Sequence, residues 1–282
     1  MRVTTKKGLL MTILVSGATG TVGRHIINQL MDRGERVRAL TRNPQRANLP
    51  AGVDVVRGDL TDADAFRRAV EGCDAVHFIT FNGEFGETLT NGPDLVAAAE
   101  AAGVRRVSVL SGWDESTLEP ALQTSGLAWA LLAPVEFMSN AREWAPEVVS
   151  DRRVRTLAGW PSAMVHEADI AAVAVEVLLG APAEGQTYYL TGPEALTPAE
   201  RTARIAEAIG EDVTWIRLTE DEERERLRAF GYDEGYVEFG VELAKNPPAI
   251  GQSVQDTVTR LTGRPGRTFA HWARENAELF RA

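Results

Sequence analysis

The segment Gly17-Ala18-Thr19-Gly20-Thr21-Val22-Gly23 combines closely spaced glycines with hydroxyl side chains. A glycine backbone turns tightly and approaches a bound group that a side chain would hold off. A helix that opens there presents unpaired N–H groups and the positive end of its dipole to an anion. The pattern suits a pyrophosphate, which makes Gly17, Thr19, Gly20, Thr21 and Val22 candidate dinucleotide-binding residues. It has this meaning only where a strand precedes it and a helix follows. Both conditions are met: Thr12–Ser16 is a β-branched run, and Val22, Ile26 and Leu30 recur at helical spacing.

The end of the next strand separates two cofactors. A carboxylate there would hold the ribose 2′-OH of NAD, whereas an arginine accommodates the 2′-phosphate of NADP. The segment Arg38-Ala39-Leu40-Thr41-Arg42 has no carboxylate. A guanidinium fork at Arg42 suits a phosphate and predicts NADPH in preference to NADH. The alternative is that Arg42 is a solvated residue before a turn. Asp59, in Gly58-Asp59-Leu60, is placed either to accept from the adenine amino group or to start the next helix. Ser111, in Leu110-Ser111-Gly112, could bind a substrate oxygen or cap its own turn. His77 sits inside a strand and reads as a satisfied core histidine. Phe81, Phe85, Trp113 and Phe137 could line a flat aromatic pocket or serve as lid and core. The Phe81–Asn91 loop reads as a cover over the nicotinamide.

These residues need a scaffold, and the first half of the chain supplies its pattern. Strand signals at Thr12–Ser16, Arg36–Thr41, Val53–Val56, Ala75–Thr80, Arg106–Leu110 and Trp129–Leu132 alternate with helical stretches. Thr61 or Asp62 can cap a helix running to Val70, Asp94–Ala102 is an Ala-rich helix, and Gly34 and Gly103 end helices. Strands separated by helices form βαβ units and a parallel sheet covered on both faces. The expected fold is an α/β Rossmann-type doubly wound sheet spanning 11–150. A smaller α/β substrate lobe follows over 151–282, packed on the first domain and partly interleaved with it. In that lobe Asp169–Leu179 reads as an amphipathic helix, Thr187–Leu190 as a strand and Pro198–Ile209 as a helix starting after Thr197. Val213–Leu218 reads as a strand, Glu220–Arg228 as a solvated charged helix and Phe269–Phe280 as the last helix.

Composition narrows the class. The chain has 282 residues, 44% hydrophobic and 25% charged, ordinary values for a globular protein. Its single cysteine, Cys73, excludes an internal disulfide framework, and four scattered histidines give no zinc spacing. Thirty Lys+Arg against forty Asp+Glu leave a net charge of −10, unfavourable for nucleic acid. No apolar run reaches the ~20 residues of a membrane span. Arg2, Lys6 and Lys7 before Gly8–Val15 resemble a weak signal peptide, but that run leads straight into the glycine loop. Residues 1–10 read as an extension ahead of Met11, and the protein as cytoplasmic. No coiled-coil repeat decides between monomer and homodimer.

Several segments together carry a family resemblance. They are the glycine loop, Arg42-Asn43-Pro44, Gly58-Asp59-Leu60, Ser125-Gly126-Leu127-Ala128-Trp129, and Pro134 with Phe137-Met138-Ser139-Asn140. Asp169-Ile170-Ala171 and Tyr189-Leu190-Thr191-Gly192-Pro193-Glu194 with Leu196-Thr197 and Glu200 complete the set. From Met11 onward the chain resembles the NmrA-like atypical short-chain dehydrogenase/reductases. The resemblance implies NAD(P)H binding and quinone or azo-dye reduction; some members are redox-sensing regulators without catalysis. It also implies that His166, in a pocket-facing stretch, is a proton-donor candidate, although it could simply start a helix. In the enzyme reading Asp59 and Leu60 belong to the cofactor set, and Thr80, Pro134 and Phe137 flank the nicotinamide.

One familiar element is missing. Ordinary short-chain dehydrogenases use a tyrosine with a lysine four residues later. Here Tyr188, Tyr189, Tyr232 and Tyr236 are followed at that spacing by Gly192, Pro193, Tyr236 and Gly240. A carbonyl reduction that must protonate an alkoxide therefore lacks its usual donor. The expectation is an NADPH-dependent reductase of quinone-like or other conjugated small molecules, with no nucleic-acid or membrane partner. The alternative is an NADP-binding redox sensor that acts on a protein partner. An isomerase or ketoreductase using Ser111 and water is a third reading.

Overall fold

The computed structural model describes residues 10–81, 87–112 and 114–281. In chain order the strands are β1 (Thr12–Val15), β2 (Arg36–Thr41), β3 (Asp54–Arg57), β4 (Ala75–Ile79) and β5 (Arg106–Leu110). They continue as β6 (Ala128–Pro134), β7 (Arg153–Thr156), β8 (Glu184–Leu190) and β9 (Thr214–Arg217). The helices are α1 (Thr21–Asp32), α2 (Ala63–Val70), α3 (Gly92–Ala101), α4 (Leu118–Gln123), α5 (Ala145–Asp151) and α6 (Glu167–Leu179). After them come α7 (Pro198–Ile209), α8 (Glu220–Ala229), α9 (Glu234–Lys245), α10 (Thr257–Thr262) and α11 (Phe269–Glu275).

The chain divides into two compact units. The first runs to Ala133 and takes in Ile170–Tyr188; the second comprises Pro134–Asp169 and the chain from Tyr189 onward. The boundary expected at residue 150 falls inside the second unit. Pro134 closes β6, and the chain leaves the sheet there rather than sixteen residues later.

The first unit is a Rossmann-type sheet of seven strands in the order β3-β2-β1-β4-β5-β6-β8. The pairs β1–β2, β1–β4, β2–β3, β4–β5 and β5–β6 are parallel. Successive strand residues point to opposite faces, yet Ile13, Leu14 and Val15 are all buried, so both faces of the sheet are covered. On one face Leu14, Leu40, Phe78 and Val107 join Phe66 of α2, Leu95 of α3 and Leu118 of α4 in a continuous core. Asp62 caps α2, its carboxylate accepting from the N–H groups of Asp64 and Ala65 at 3.0 Å.

One helix corrects its expectation. α6 is not amphipathic: it is buried on nearly every side, with only Glu176 and Leu179 partly exposed. Its run of Ala, Val and Leu is apolar all round, the composition of an internal helix rather than a surface one.

The second unit is built around β7 and β9, which pair in parallel as a two-stranded sheet. Its core joins Met138, Val154, Met164, Ile205, Phe269, Trp272 and Phe280. A capping box opens α7, Thr197 and Glu200 each bonding to the other's backbone N–H. The last helix ends at Glu275 and is followed by a 3-10 turn over Ala277–Phe280. Among the described residues no helix is long and apolar enough to cross a membrane.

Candidate functional site

The sheet order reverses direction between β1 and β4, since β1 leads to β2 on one side while β4 and β5 lie on the other. Ligands of such sheets bind beyond the carboxyl ends of the strands at that point. The Gly17–Gly23 loop occupies it. Gly17 takes φ +59°, a left-handed backbone that few side chains tolerate. Its carbonyl accepts from the Gly20 N–H at 2.9 Å and closes the turn. Ser16 fixes the approach, its hydroxyl donating to the His77 carbonyl at 2.8 Å.

The loop delivers the chain into α1 with Gly20 as N-cap. No side chain caps this helix and no acidic residue stands in its first turn. Helix geometry leaves the N–H groups of that turn without intrahelical acceptors. Thr19, Gly20 and Thr21 are exposed beside them, and Val22 packs its side chain into the core. Gly23 packs directly on the loop: a Cβ there would stand 2.1 Å from the Gly17 carbonyl oxygen. A bare helix start held this tightly against a glycine turn fits a dinucleotide pyrophosphate.

Arg24, absent from the sequence-level site, holds this cradle. Its Nε donates to the Thr19 carbonyl at 3.0 Å, and its two terminal nitrogens donate to the Asn48 carbonyl at 2.8 Å and the Ala47 carbonyl at 3.0 Å. One guanidinium thus ties the glycine loop to the segment after β2, where Asn48 adopts a φ of +43°. All three acceptors are neutral carbonyls, so the full positive charge stays at the loop.

The remaining sequence candidates of this unit lie at the same sheet edge. β1 pairs with β2 with Val15 opposite Ala39, which places exposed Arg42 one strand over from the glycine loop. Arg38 is structural: it pairs with Asp54 at 2.7 Å and donates to the Ala69 and Glu71 carbonyls. Asp59 does not start α2. One of its carboxylate oxygens accepts from the Thr61 N–H and hydroxyl at 3.0 Å, forming a turn before the helix. Leu60 is buried, and its carbonyl accepts from the Asn91 amide at 2.7 Å. Thr80 is buried at the end of β4, where its hydroxyl accepts from the Gly112 N–H at 2.7 Å. Ser111 donates its hydroxyl to the Leu132 carbonyl at 3.2 Å, which holds β5 to β6. His77 is a core histidine, bonded through Nδ1 to Ser108 at 2.7 Å and pushed down to about 3 by burial.

In the second unit Pro134 ends β6, and half-buried Phe137 bridges to Val165 through its backbone. His166 has both ring nitrogens engaged. Nδ1 accepts from the Ala168 N–H at 3.0 Å, so the proton resides on Nε2, which faces the Glu275 carboxylate at 2.9 Å. Burial raises the Glu275 carboxyl, but its hydrogen bonds with His166 and His271 hold it below the ordinary range. Asp169 pairs with the Arg267 guanidinium and accepts its backbone N–H at 2.6 Å. His166 and Asp169 therefore fix the start of α6 within this unit. Phe85, Trp113 and the centre of the Phe81–Asn91 loop lie outside the described residues.

A glycine cradle at the switch point of a parallel sheet, with an arginine beyond the neighbouring strand, defines a dinucleotide-binding Rossmann protein. A family model described as NAD(P)H-binding matches residues 17–180. A Streptomyces griseus (4-alkanoyl-5-oxo-2,5-dihydrofuran-3-yl)methyl phosphate reductase is 38% identical over 95% of this chain and 99% of its own length. An NAD(P)H azoreductase of Xenophilus azovorans is 32% identical over 96% and 99% respectively. The crystal structure of an Escherichia coli NADPH-dependent quinone oxidoreductase complexed with NADPH superposes with a TM-score of 0.79 at 26% identity, covering 93% of this chain and 99% of that one. The chain belongs to the NAD(P)H-binding family. It is an NAD(P)H-dependent oxidoreductase.

Proposed function

We propose that this protein uses NADPH to reduce conjugated small molecules: quinones, azo compounds or unsaturated carbonyl compounds. The observation that carries the reading is the edge of the first unit, where the uncapped start of α1 lies one strand from the end of β2, and the segment Arg38–Arg42 carries arginines and no carboxylate to claim a ribose 2′-OH. When bound, the reduced nicotinamide supplies a hydride. The α1 N–H groups and the Arg24-braced loop hold the pyrophosphate, and Arg42 takes the 2′-phosphate. Asp59 keeps its second carboxylate oxygen for the adenine amino group. Thr80, just past the end of β4, flanks the nicotinamide.

Ser111 shapes the acceptor preference. Its hydroxyl is spent on the Leu132 carbonyl, and the chain has no Tyr-x-x-x-Lys pair, so this position offers no ready proton. A conjugated acceptor takes hydride more easily than a simple ketone because the negative charge spreads over the π system. The named activities of the three relatives are all reductions or oxidoreductions of this kind.

The test pairs calorimetric titration of NADPH and NADH with NADPH oxidation over a panel of quinones, azo dyes and unsaturated lactones. Arg42→Ala is expected to weaken NADPH by about ten- to a hundredfold, the worth of a lost charge-assisted bond, and NADH little. Equal losses for both nucleotides would place the 2′-phosphate elsewhere. Tight NADPH binding without turnover of any acceptor would make the protein a sensor rather than a reductase.

A further inference from the structure

Positive charge gathers at one place in a chain whose net charge is −10. Residues 36–57 hold five arginines and a single carboxylate, Asp54. Asp54 is spent at the amino end of its strand. It opens β3 opposite Arg38 in the β2–β3 register and pairs with that guanidinium at 2.7 Å. Arg36 begins β2 at the same end. Arg42, Arg46 and Arg57 therefore stand toward the carboxyl ends of β2 and β3, the ligand edge of the sheet, with no carboxylate of this segment among them.

Arg57 is held there by its backbone. It is the last residue of β3 and lies opposite Thr41, the last of β2. The following Gly58 donates its N–H to the Thr41 carbonyl at 3.0 Å, and a Cβ on it would stand 2.6 Å from Leu40 Cδ1. The two strand ends are thus locked side by side. Adjacent strands lie about 4.8 Å apart, a gap that arginine side chains from both ends can span. The 3-10 turn Pro44–Arg46 packs against β3, and Arg24 ties down the residues after it through the Ala47 and Asn48 carbonyls. The Arg57 side chain is exposed and forms no ion pair among the described residues. Asp59, two residues on, turns to Thr61 instead.

We propose that Arg57 is a second specificity residue for NADPH, reaching the 2′-phosphate from β3 while Arg42 reaches it from β2. This rests on the NADPH reading above. The chemistry of the ligand asks for two cations. A phosphate monoester carries a charge of about −1.5 to −2 at pH 7 and offers three acceptor oxygens. One guanidinium fork covers two of those oxygens and one charge. A second, from the neighbouring strand, takes the third oxygen and the remaining charge. A ribose 2′-OH supplies neither charge nor the same acceptors, so it leaves the two cations facing each other unneutralised. The pair therefore discriminates by repulsion as well as by attraction. Selection for NADPH is on this account a property of two strand ends rather than of the β2 terminus alone.

The test reads binding and stands whether or not an acceptor is reduced. The full chain is titrated by calorimetry with NADPH and NADH, and with adenosine 2′,5′-bisphosphate and 5′-AMP, which isolate the 2′-phosphate. Arg57→Gln is expected to weaken NADPH and the bisphosphate by about tenfold, and to leave NADH and 5′-AMP within about twofold. Arg57→Lys should recover part of the loss, because it restores the charge without the fork. Added salt should weaken NADPH less steeply in Arg57→Gln than in wild type, since one exposed charge pair is gone. Combining Arg42→Ala with Arg57→Gln should abolish the preference that either single variant keeps in part. NADPH and bisphosphate affinities unchanged in Arg57→Gln would overturn the assignment and leave the role of Arg42 to Arg42→Ala alone. Equal losses of NADPH and NADH would overturn it as well, since Arg57 would then act through the adenosine or the fold. A wild type that binds both nucleotides alike would overturn the NADPH reading and this assignment together. The expected pattern in a protein that reduces no acceptor would support the assignment and count against the reductase reading alone.

Discussion

Gly23 is where the cradle should be most sensitive to a single methyl group. In Gly23→Ala the new carbon would meet the Gly17 carbonyl oxygen at 2.1 Å and its carbon at 2.8 Å. Even weak C–H···O contacts do not close much below about 3.3 Å, so α1 and the loop must separate by about 1 Å. A hydrogen bond of about 2.9 Å stretched by that amount is no longer one. The N–H groups of the first turn would then lose their grip on a pyrophosphate, at about 1.5–3 kcal/mol for each charged contact. Two such contacts correspond to about a hundredfold or more in affinity. The strain of overpacking adds about 1–3 kcal/mol to folding, a Tm lower by about 2–10 °C. Calorimetric titration of NADPH and NADH, beside thermal melting, separates the two effects. Both nucleotides should weaken together, because the pyrophosphate is common to them. Gly20→Ala is the graded control: its Cβ would stand 3.1 Å from the same oxygen, and the loss should stay within about tenfold. A Gly23→Ala protein that melts earlier but binds both nucleotides as the wild type does would refute the reasoning, since the close approach would then serve folding alone.

Three further outcomes test the neighbouring residues. Arg24→Met removes the bonds to Thr19, Ala47 and Asn48 and should weaken both nucleotides by about tenfold, read by the same titration; unchanged affinity would make the brace irrelevant to binding. His77 stays neutral in the fold down to about pH 3, while in the unfolded chain it takes a proton below its ordinary value of 6.5. Its contribution is therefore complete above that value and lost as pH falls, by about 1.4 kcal/mol per unit. Urea unfolding at pH 7 and pH 5 should show wild type losing about 2 kcal/mol more than His77→Gln, and parallel losses would contradict a buried neutral histidine. Ser111→Ala should leave quinone kcat within about twofold while lowering stability by about 1 kcal/mol; a hundredfold fall in kcat at constant NADPH affinity would make the hydroxyl catalytic.

The first unit is legible in the sequence because its signals are local. β2, β5 and α7 begin and end where periodicity and capping residues put them, and the glycine loop means what its flanking strand and helix make it mean. The second unit depends on contacts that no short window contains. β7, with only four residues, becomes a strand by pairing with β9, some sixty residues later, and leaves no pattern of its own. α9 follows α8 after a short gap and carries Tyr236 and Phe239 on an open surface, so its Asp233 cap and the short buried pair Val237 and Val241 do not stand out in the sequence. The same distance hides chemistry. A search for a tyrosine with a lysine four residues later passes over Tyr232, whose i+4 neighbour is Tyr236 and whose hydroxyl faces Glu143, 89 residues upstream. Arg24 is hidden differently, since an arginine in a helix first turn looks like a solvated charge until its three carbonyl acceptors are seen.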